Sequence, residues 1–466
     1  MKNTQQAPRN TSLYRLVWRW HFYAGLFCIP FVLALALTGT AYLFHPQIDS
    51  WLDAPYNHID PEATRLPPSR LVEAAIDRYP GSRLNAFQLP TRPTDAAQVL
   101  VGKEQELYRV YLDPTNAQVL FSQSEDKRLT RQLFNLHGEL LMGSLGSVLI
   151  ELAACWTIVM LLSGLYLWWP KDGRIAGVLY PRLSNKGRLF WRDLHAVVGF
   201  WVSIFAVMLI LTGLPWAQFW GGSLKTVREW AANHAVQQDW TTGKASEMAQ
   251  RQAMNSDAID EHANMPGMAG MAMHAVQAPA PSYAPLDNLV PRVAELELAF
   301  PVLISPPSGH SSKWTARSDA SNRPMRVNLV LDAQQGQISQ RTDFSQRPLL
   351  DRIIGYGVAA HEGQLFGWPN VVLGIFTTVG LMTLTISGAV LWWRRRPTGL
   401  LGAPSAVGDA RLPWKFVLVL VGLGVYLPLL GVSLVLVWAI ERWVLSAIPA
   451  TARYLGLVPR SKALTG

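Results

Sequence analysis

The chain reads as a membrane α-helical bundle, a four-helix core of two parallel repeats plus a fifth C-terminal span, with two extracytoplasmic α+β modules. Three observations predict this. Half of the 466 residues are hydrophobic and only 16% are charged, against ~25% charged in soluble domains. Five apolar stretches are long enough for a bilayer, which needs about 20 residues per helix. Finally, the two halves of the chain carry the same motifs at the same offsets.

The spans fall at 21–44, 146–169, 194–214, 368–393 and 415–440. The first reads as a retained anchor, because its apolar run is long and lacks a small-residue cleavage site. Arg9, Arg15 and Arg19 lie in the N-terminal segment 1–20, Arg182, Arg188 and Arg192 in the loop 170–193, and Arg394, Arg395 and Arg396 in the loop 394–414. The positive-inside rule makes these three segments cytoplasmic. Segments 45–145 and 215–367 are then outside, and so is the tail 441–466, although it carries Arg453, Arg460 and Lys462. The net charge of +9 is assigned to contact with lipid headgroups of the bilayer, and no nucleic acid is expected. Cys28 and Cys155 both sit in apolar runs. That excludes a disulfide framework, a Cys-rich zinc or iron–sulfur site, and a CxxCH haem attachment.

The duplication is explicit. Span one opens on WRWHFYAGLF and span three on WRDLHAVVGF. Each histidine, His21 or His195, is followed by glycine at the fourth residue (Gly25, Gly199) and by Thr-Gly at the seventeenth (Thr38, Thr212). LHGELLMG before span two matches AHEGQLFG before span four. From His137 and His361, Ser-Gly recurs at matched distance (Ser163-Gly164, Ser387-Gly388), as does Leu-Trp-Trp (Trp168-Trp169, Trp392-Trp393). The module at 45–145 predicts a helix over Ser69–Tyr79 and strands at Arg83–Leu89, Gln98–Val101 and Leu107–Leu112. The module at 215–367 predicts a helix over Asn288–Phe300 and strands at Val302–Ser305, Lys313–Ala316 and Met325–Leu331. The turns at Asp113 and Asp332 each lead to a Gln five residues on. An insert at 231–282, with Met265–His274 reading MPGMAGMAMH, distinguishes the second module and is expected to be loosely ordered. Its thioethers and histidine suit Cu(I), or the segment is a plain linker.

Duplication turns four histidines into two pairs, His21 with His195 and His137 with His361. A histidine on each of two facing helices makes a bis-imidazole site that suits a haem iron. The alternative for any one of them is a hydrogen bond between helices. Gly25 and Gly199 are expected to leave room for a flat macrocycle, and Arg19 and Arg192 to meet its propionates. Gly138, Gly143 and Gly146 are expected to break the helix and place His137 on an interfacial turn. His45 has no counterpart, since Phe219 stands at the matching place, and reads as an interfacial residue. His58, His234 and His310 read as solvated, and Glu139, Glu151 and Glu362 as carboxylates that could relay protons. The Trp-Trp pairs read as interface-belt residues.

HFYAGLFCIPFVLALALTGTAYLF, ELAACWTIVMLLSGLYLWWP, WRDLHAVVGFW, HEGQLFGWPN and LWWRRRP, spread over about 12–397, resemble the PepSY-associated transmembrane family. That family is described as iron-regulated membrane proteins and includes ferric-siderophore reductases. The resemblance implies PepSY-like outer modules and two b-type haems, with His21, His195, His137 and His361 as the ligands of the haem iron. It further implies a multi-pass protein of the bacterial inner membrane with its modules in the periplasm. The enzyme would be a transmembrane haem-dependent oxidoreductase, taking electrons from a quinol or cytoplasmic reductant and passing them to a ferric siderophore or other ferric chelate. Arg83, Arg109, Lys313 and Arg323 could attract such an anionic complex. Two other readings are a membrane-anchored PepSY interaction protein that restrains a peptidase, and copper handling through the Met-rich loop.

Overall fold

The computed structural model describes residues 11–169, 177–184, 186–232, 282–307, 313–404 and 413–457. Nearly all of the insert at 231–282, together with His234, His310, Arg460 and Lys462, lies outside the described residues. In chain order the helices of the first half are α1 (Thr11–Tyr42), α2 (His45–Asp53), α3 (Pro68–Arg78), α4 (Leu129–Glu139) and α5 (Ser144–Trp168). Those of the second half are α6 (Arg188–Gly213), α7 (Gln218–Ala232), α8 (Pro285–Ala294), α9 (Leu349–His361) and α10 (Trp368–Arg395). After the repeats come α11 (Trp414–Tyr426), α12 (Pro428–Ile440) and α13 (Pro449–Leu455). The strands are β1 (Arg83–Gln88), β2 (Ala97–Lys103), β3 (Glu106–Leu112), β4 (Val119–Ser124), β5 (Val302–Ser305), β6 (Trp314–Ser318), β7 (Val327–Leu331) and β8 (Ile338–Asp343). The chain divides into a membrane unit, drawn from 1–41, 135–243 and 372–466, and a sheet unit, drawn from 42–134 and 244–371.

Among the described residues, five helices are long and apolar enough to cross a membrane: Leu13–Tyr42, Ser144–Trp168, Arg188–Trp216, Trp368–Arg395 and Pro428–Leu445. The protein is a multi-pass membrane protein. Within the membrane unit α1 lies against α5, where the Cys28 thiol donates to Ala153 O (3.7 Å). α5 lies against α6, with Trp168 stacked on Phe200 at 4.3 Å. α6 lies against α10, where a β-carbon on Gly380 would fall 2.3 Å from Val202 Cγ1. The Thr40 hydroxyl donates across from α1 to Thr378 of α10 (2.8 Å). Such interhelical hydrogen bonds and close glycine contacts hold helices together where lipid offers no hydrophobic drive.

Two expectations are corrected here. The stretch 415–440 is not one span, because the helix breaks at Leu427 (φ −119°, ψ 83°). Pro428 disfavours helical geometry in the residue before it, and Pro itself starts the next helix well. Phe416, near the start of α11, meets Tyr166 at the end of α5 (5.7 Å), whereas Leu427 and Leu430 are buried with Cys155, Ile158 and Leu214. From there α12 returns, so that Glu441 comes to 4.0 Å from Arg19. α11 and α12 therefore form a hairpin, and Gly456 O accepts from Arg19 at 2.9 Å. The described part of the tail thus returns to the Arg19 end of α1, not to the opposite end as expected. Glu151, 3% exposed, is also no isolated relay. Its carboxylate accepts from Phe219 N (2.8 Å) and Trp220 N (3.0 Å), capping the first turn of α7.

The break between α4 and α5 falls at Gly143, one of the expected glycines, but it does not place His137 on a turn. His137 lies inside α4, and the chain turns at Leu140, Leu141 and Gly143, all at positive φ. Gly146 serves the close approach that follows, since a β-carbon there would lie 1.6 Å from Glu139 O.

In the sheet unit the two modules are not separate. Their eight strands form one antiparallel sheet in the order β4-β3-β2-β1-β5-β6-β7-β8, joined where Phe87 faces Ile304 and Gln88 faces Leu303. Alternation along each strand sends one set of side chains to a shared core. Val99, Val101, Val110, Leu112, Ile304, Ala316, Leu329 and Leu331 pack there against Leu71, Val72 and Ala75 of α3 and Leu286, Leu289 and Val293 of α8. The halves are also stapled by Asp287 of α8, which accepts from Ser69 N and Ser69 Oγ (both 2.8 Å) at the start of α3.

Candidate functional site

His21 on α1 and His195 on α6 meet inside the membrane unit, with ring centroids 6.4 Å apart and planes at 82°. Each ring is held from behind by the next helix. His21 Nδ1 lies 3.0 Å from Met160 O and 3.0 Å from Ser163 Oγ. His195 Nδ1 lies 3.1 Å from Leu384 O and 3.1 Å from Ser387 Oγ. A carbonyl can only accept, so the hydrogen-bond network assigns the hydrogen to Nδ1 in both rings and leaves the lone pair on Nε2. The serine hydroxyls donate to the same carbonyls, Ser163 to Met160 O (3.0 Å) and Ser387 to Leu384 O (3.1 Å). Glycine completes each seat. A β-carbon on Gly164 would lie 3.0 Å from His21 Cε1, and one on Gly388 3.2 Å from His195 Cε1.

His137 has the same kind of seat. Its Nδ1 is 2.9 Å from Thr38 Oγ1, whose hydroxyl donates to Ala34 O (2.7 Å), and a β-carbon on Gly39 would stand 3.1 Å from His137 Cε1. His361 is the last residue of α9, in the sheet unit. The turn after it is stapled by Asn370, which donates to Ala360 O (2.9 Å) and accepts from Leu365 N (3.2 Å). Of the four predicted ligands, His21 and His195 are brought together within one unit; His137 and His361 fall in different units.

Several assigned roles change. A β-carbon on Gly199 would lie 3.2 Å from Leu384 Cδ2, a close approach of helices, and one on Gly25 would meet only Met160 Sδ at an ordinary 3.8 Å. Arg19 is buried and donates to Pro404 O (2.8 Å) and Gly456 O (2.9 Å). Arg192 and Arg182 both clamp the buried Asp193, at 2.8 and 2.6 Å. Both arginines expected at propionates donate to protein oxygens, with Arg19 Nη2 left without a hydrogen-bond partner and the Arg192 side chain half exposed. His45 begins α2, stacks on Tyr42 (4.6 Å), donates from Nδ1 to Tyr42 O (3.0 Å) and accepts at Nε2 from Ser321 (3.1 Å). Arg109 is sunk into an ion pair with Glu125 (2.6 Å). Burial disfavours its charge, but Glu125 holds the guanidinium above the ordinary arginine range. Arg323 is buried as well. Neither arginine stands open to an anionic chelate.

In each Trp-Trp pair the first indole ties down a loop, Trp168 to Val178 O (3.1 Å) and Trp392 to Leu401 O (2.9 Å). The second, Trp169 or Trp393, is exposed. The sequence reading missed Ser163, Gly164, Ser387, Gly388, Thr38 and Gly39 as parts of a site. Their signal was present in the matched Ser-Gly and Thr-Gly offsets, which showed the duplication but not the contact.

Fold and site together define a multi-pass membrane protein whose duplicated spans seat half-buried histidines and whose duplicated modules share one sheet. The chain belongs to the PepSY-associated TM region family, matched over residues 18–395. No curated protein matches it.

Proposed function

We propose that the protein is a di-haem b electron-transfer enzyme of a bacterial inner membrane that reduces a ferric chelate, such as a ferric siderophore, on the periplasmic side. The observation that carries this reading is the His21–His195 pair. Two imidazoles trans on one metal, each nitrogen about 2 Å from it and each ring centre about 1.1 Å further, put their centroids about 6 Å apart. The 6.4 Å separation fits that spacing, and the Nδ1–H contacts to carbonyls leave Nε2 on both rings as the donor atom. A bound haem iron would supply one-electron chemistry between its ferric and ferrous states. His21 and His195 would hold the haem nearer the cytoplasm, next to a quinol or cytoplasmic reductant. His137 and His361 are proposed for the second haem on the duplication of the sequence alone. Reduction loosens a chelate's grip because hard oxygen ligands favour Fe(III). The basic segments at the Arg19, Arg188 and Arg395 ends of the spans support a cytoplasmic location for that end.

The test is the visible spectrum of the purified full-length chain. A reduced b-type spectrum with two haems is expected, falling to one in His195→Ala and staying at two in His58→Ala. A colourless wild-type protein, or unchanged haem content in His195→Ala, would overturn the reading.

A further inference from the structure

The serine and glycine behind each of these rings are more than packing. We propose that the Ser163-Gly164 and Ser387-Gly388 pairs are positioning seats that fix the tautomer and rotation of His21 and His195, and so set the reduction potential of the group held between them. The inference rests on the haem reading above.

Three histidines on three different helices are seated by one device. In each case a hydroxyl lies at 2.9–3.1 Å from Nδ1, and that hydroxyl's own hydrogen is directed into its own helix backbone. The oxygen is therefore left to accept, and an Nδ1–H acceptor of this kind makes Nε2 the ligating atom and raises its basicity. The glycine one residue later lets the ring edge press onto the helix. Alanine there would force the ring outward by a few tenths of an ångström, since contacts of 3.0–3.2 Å leave no slack. An imidazole made more basic by its acceptor stabilises the ferric over the ferrous state. Weakening the acceptor should then shift the potential upward without removing the ligand.

The experiment uses the full-length, haem-loaded protein and reads redox titration and low-temperature EPR instead of turnover. Ser163→Ala and Ser387→Ala should keep low-spin, bis-imidazole spectra while the midpoint of one haem moves positive. Ser163→Thr and Ser387→Thr, which retain the hydroxyl, should restore it. Gly164→Ala or Gly388→Ala should alter the low-spin g-values of that same haem. Unchanged midpoints and g-values in all of these loaded variants would overturn the seats and leave the haem reading standing. A wild-type protein without haem would overturn both.

Discussion

The two halves of the sheet share one plan but differ on their second face, covered around Tyr111 in the first half and exposed at Arg317, Asn328 and Gln340 in the second. Register makes the comparison exact in position: Arg109 faces Gln123 as Asn328 faces Thr342, and Tyr111 faces Phe121 as Val330 faces Gln340. In the first half that face is ionic. Arg109 pairs with Glu125 and donates to Gln88 (2.7 Å) and Gln98 (2.6 Å), while Arg128 reaches Asp49 (2.6 Å) and Asp53 (3.4 Å) of α2. Tyr111 donates to Asp53 as well (2.7 Å). In the second half Asn328 and Val330 replace the arginine and tyrosine, and Phe344 stands where Glu125 stands. Phe344 packs edge-on to Tyr356 at 5.3 Å. The difference teaches that the shared apolar core constrains both copies while the opposite face is free to diverge, from a buried Tyr111 to an exposed Asn328 and Gln340. The ionic version anchors α2, which follows directly on the first span, whereas Phe344 packs against α9.

The largest effect should come from breaking the ionic half. Glu125→Ala leaves the Arg109 guanidinium buried with only amide partners, and loss of one member of a buried pair costs about 3 kcal/mol. The expected drop in thermal midpoint, measured on the purified protein in detergent, should shrink when Arg109 is also changed to Met. If the single and double variants melt alike, the pair is not what seals this face.

Next in size is the steric half. A β-carbon on Gly355 would fall 2.6 Å from Phe344 Cε2, so Gly355→Ala should cost about 1–3 kcal/mol by overpacking. Adding Phe344→Leu should recover part of that loss, and the change should be insensitive to salt. A salt-dependent loss would blur the contrast between the halves.

The smallest effect concerns acid. Burial opposes ionisation of Asp319, yet Arg326, Arg317 and Arg323 together hold its carboxyl below the usual range. A depressed folded value stabilises the protein above the ordinary carboxylate range, and that stabilisation is lost as pH falls through the lowered value. Asp319→Asn should therefore flatten the acid limb of the stability curve. An acid limb identical to wild type would show that the Arg326 pair, at 3.1 Å, contributes nothing.

Much of the fold was legible. The predicted strands lie within a few residues of β1, β2, β3 and β5 to β7 because alternation along a half-buried strand is written in consecutive side chains. The helix forecast over Asn288–Phe300 instead runs Pro285–Ala294; Glu297 turns to positive φ beyond it. The first four spans were placed by length and apolarity alone. The union of β1 with β5 was not legible, because strand edges join through backbone groups that every residue carries. The hairpin at Leu427 had a visible sign in Pro428, but a 26-residue apolar stretch outweighed it in a reading by hydropathy.

The candidate site divides along the same line. By itself the sequence determined that histidines recur in pairs, because duplication preserves spacing along the chain. It also determined which end of the spans is basic and that hydroxyl–glycine dipeptides recur at constant distance. Only the tertiary structure decided that those dipeptides lie behind the rings, that Arg19 is buried against Pro404 O and Gly456 O, and that His21 and His195 stand 6.4 Å apart. Spacing along one helix is a local quantity, set by the chain's own geometry. The distance between side chains on two helices depends on how closely their backbones approach, and that is settled by glycines, carbonyls and neighbours far away in sequence.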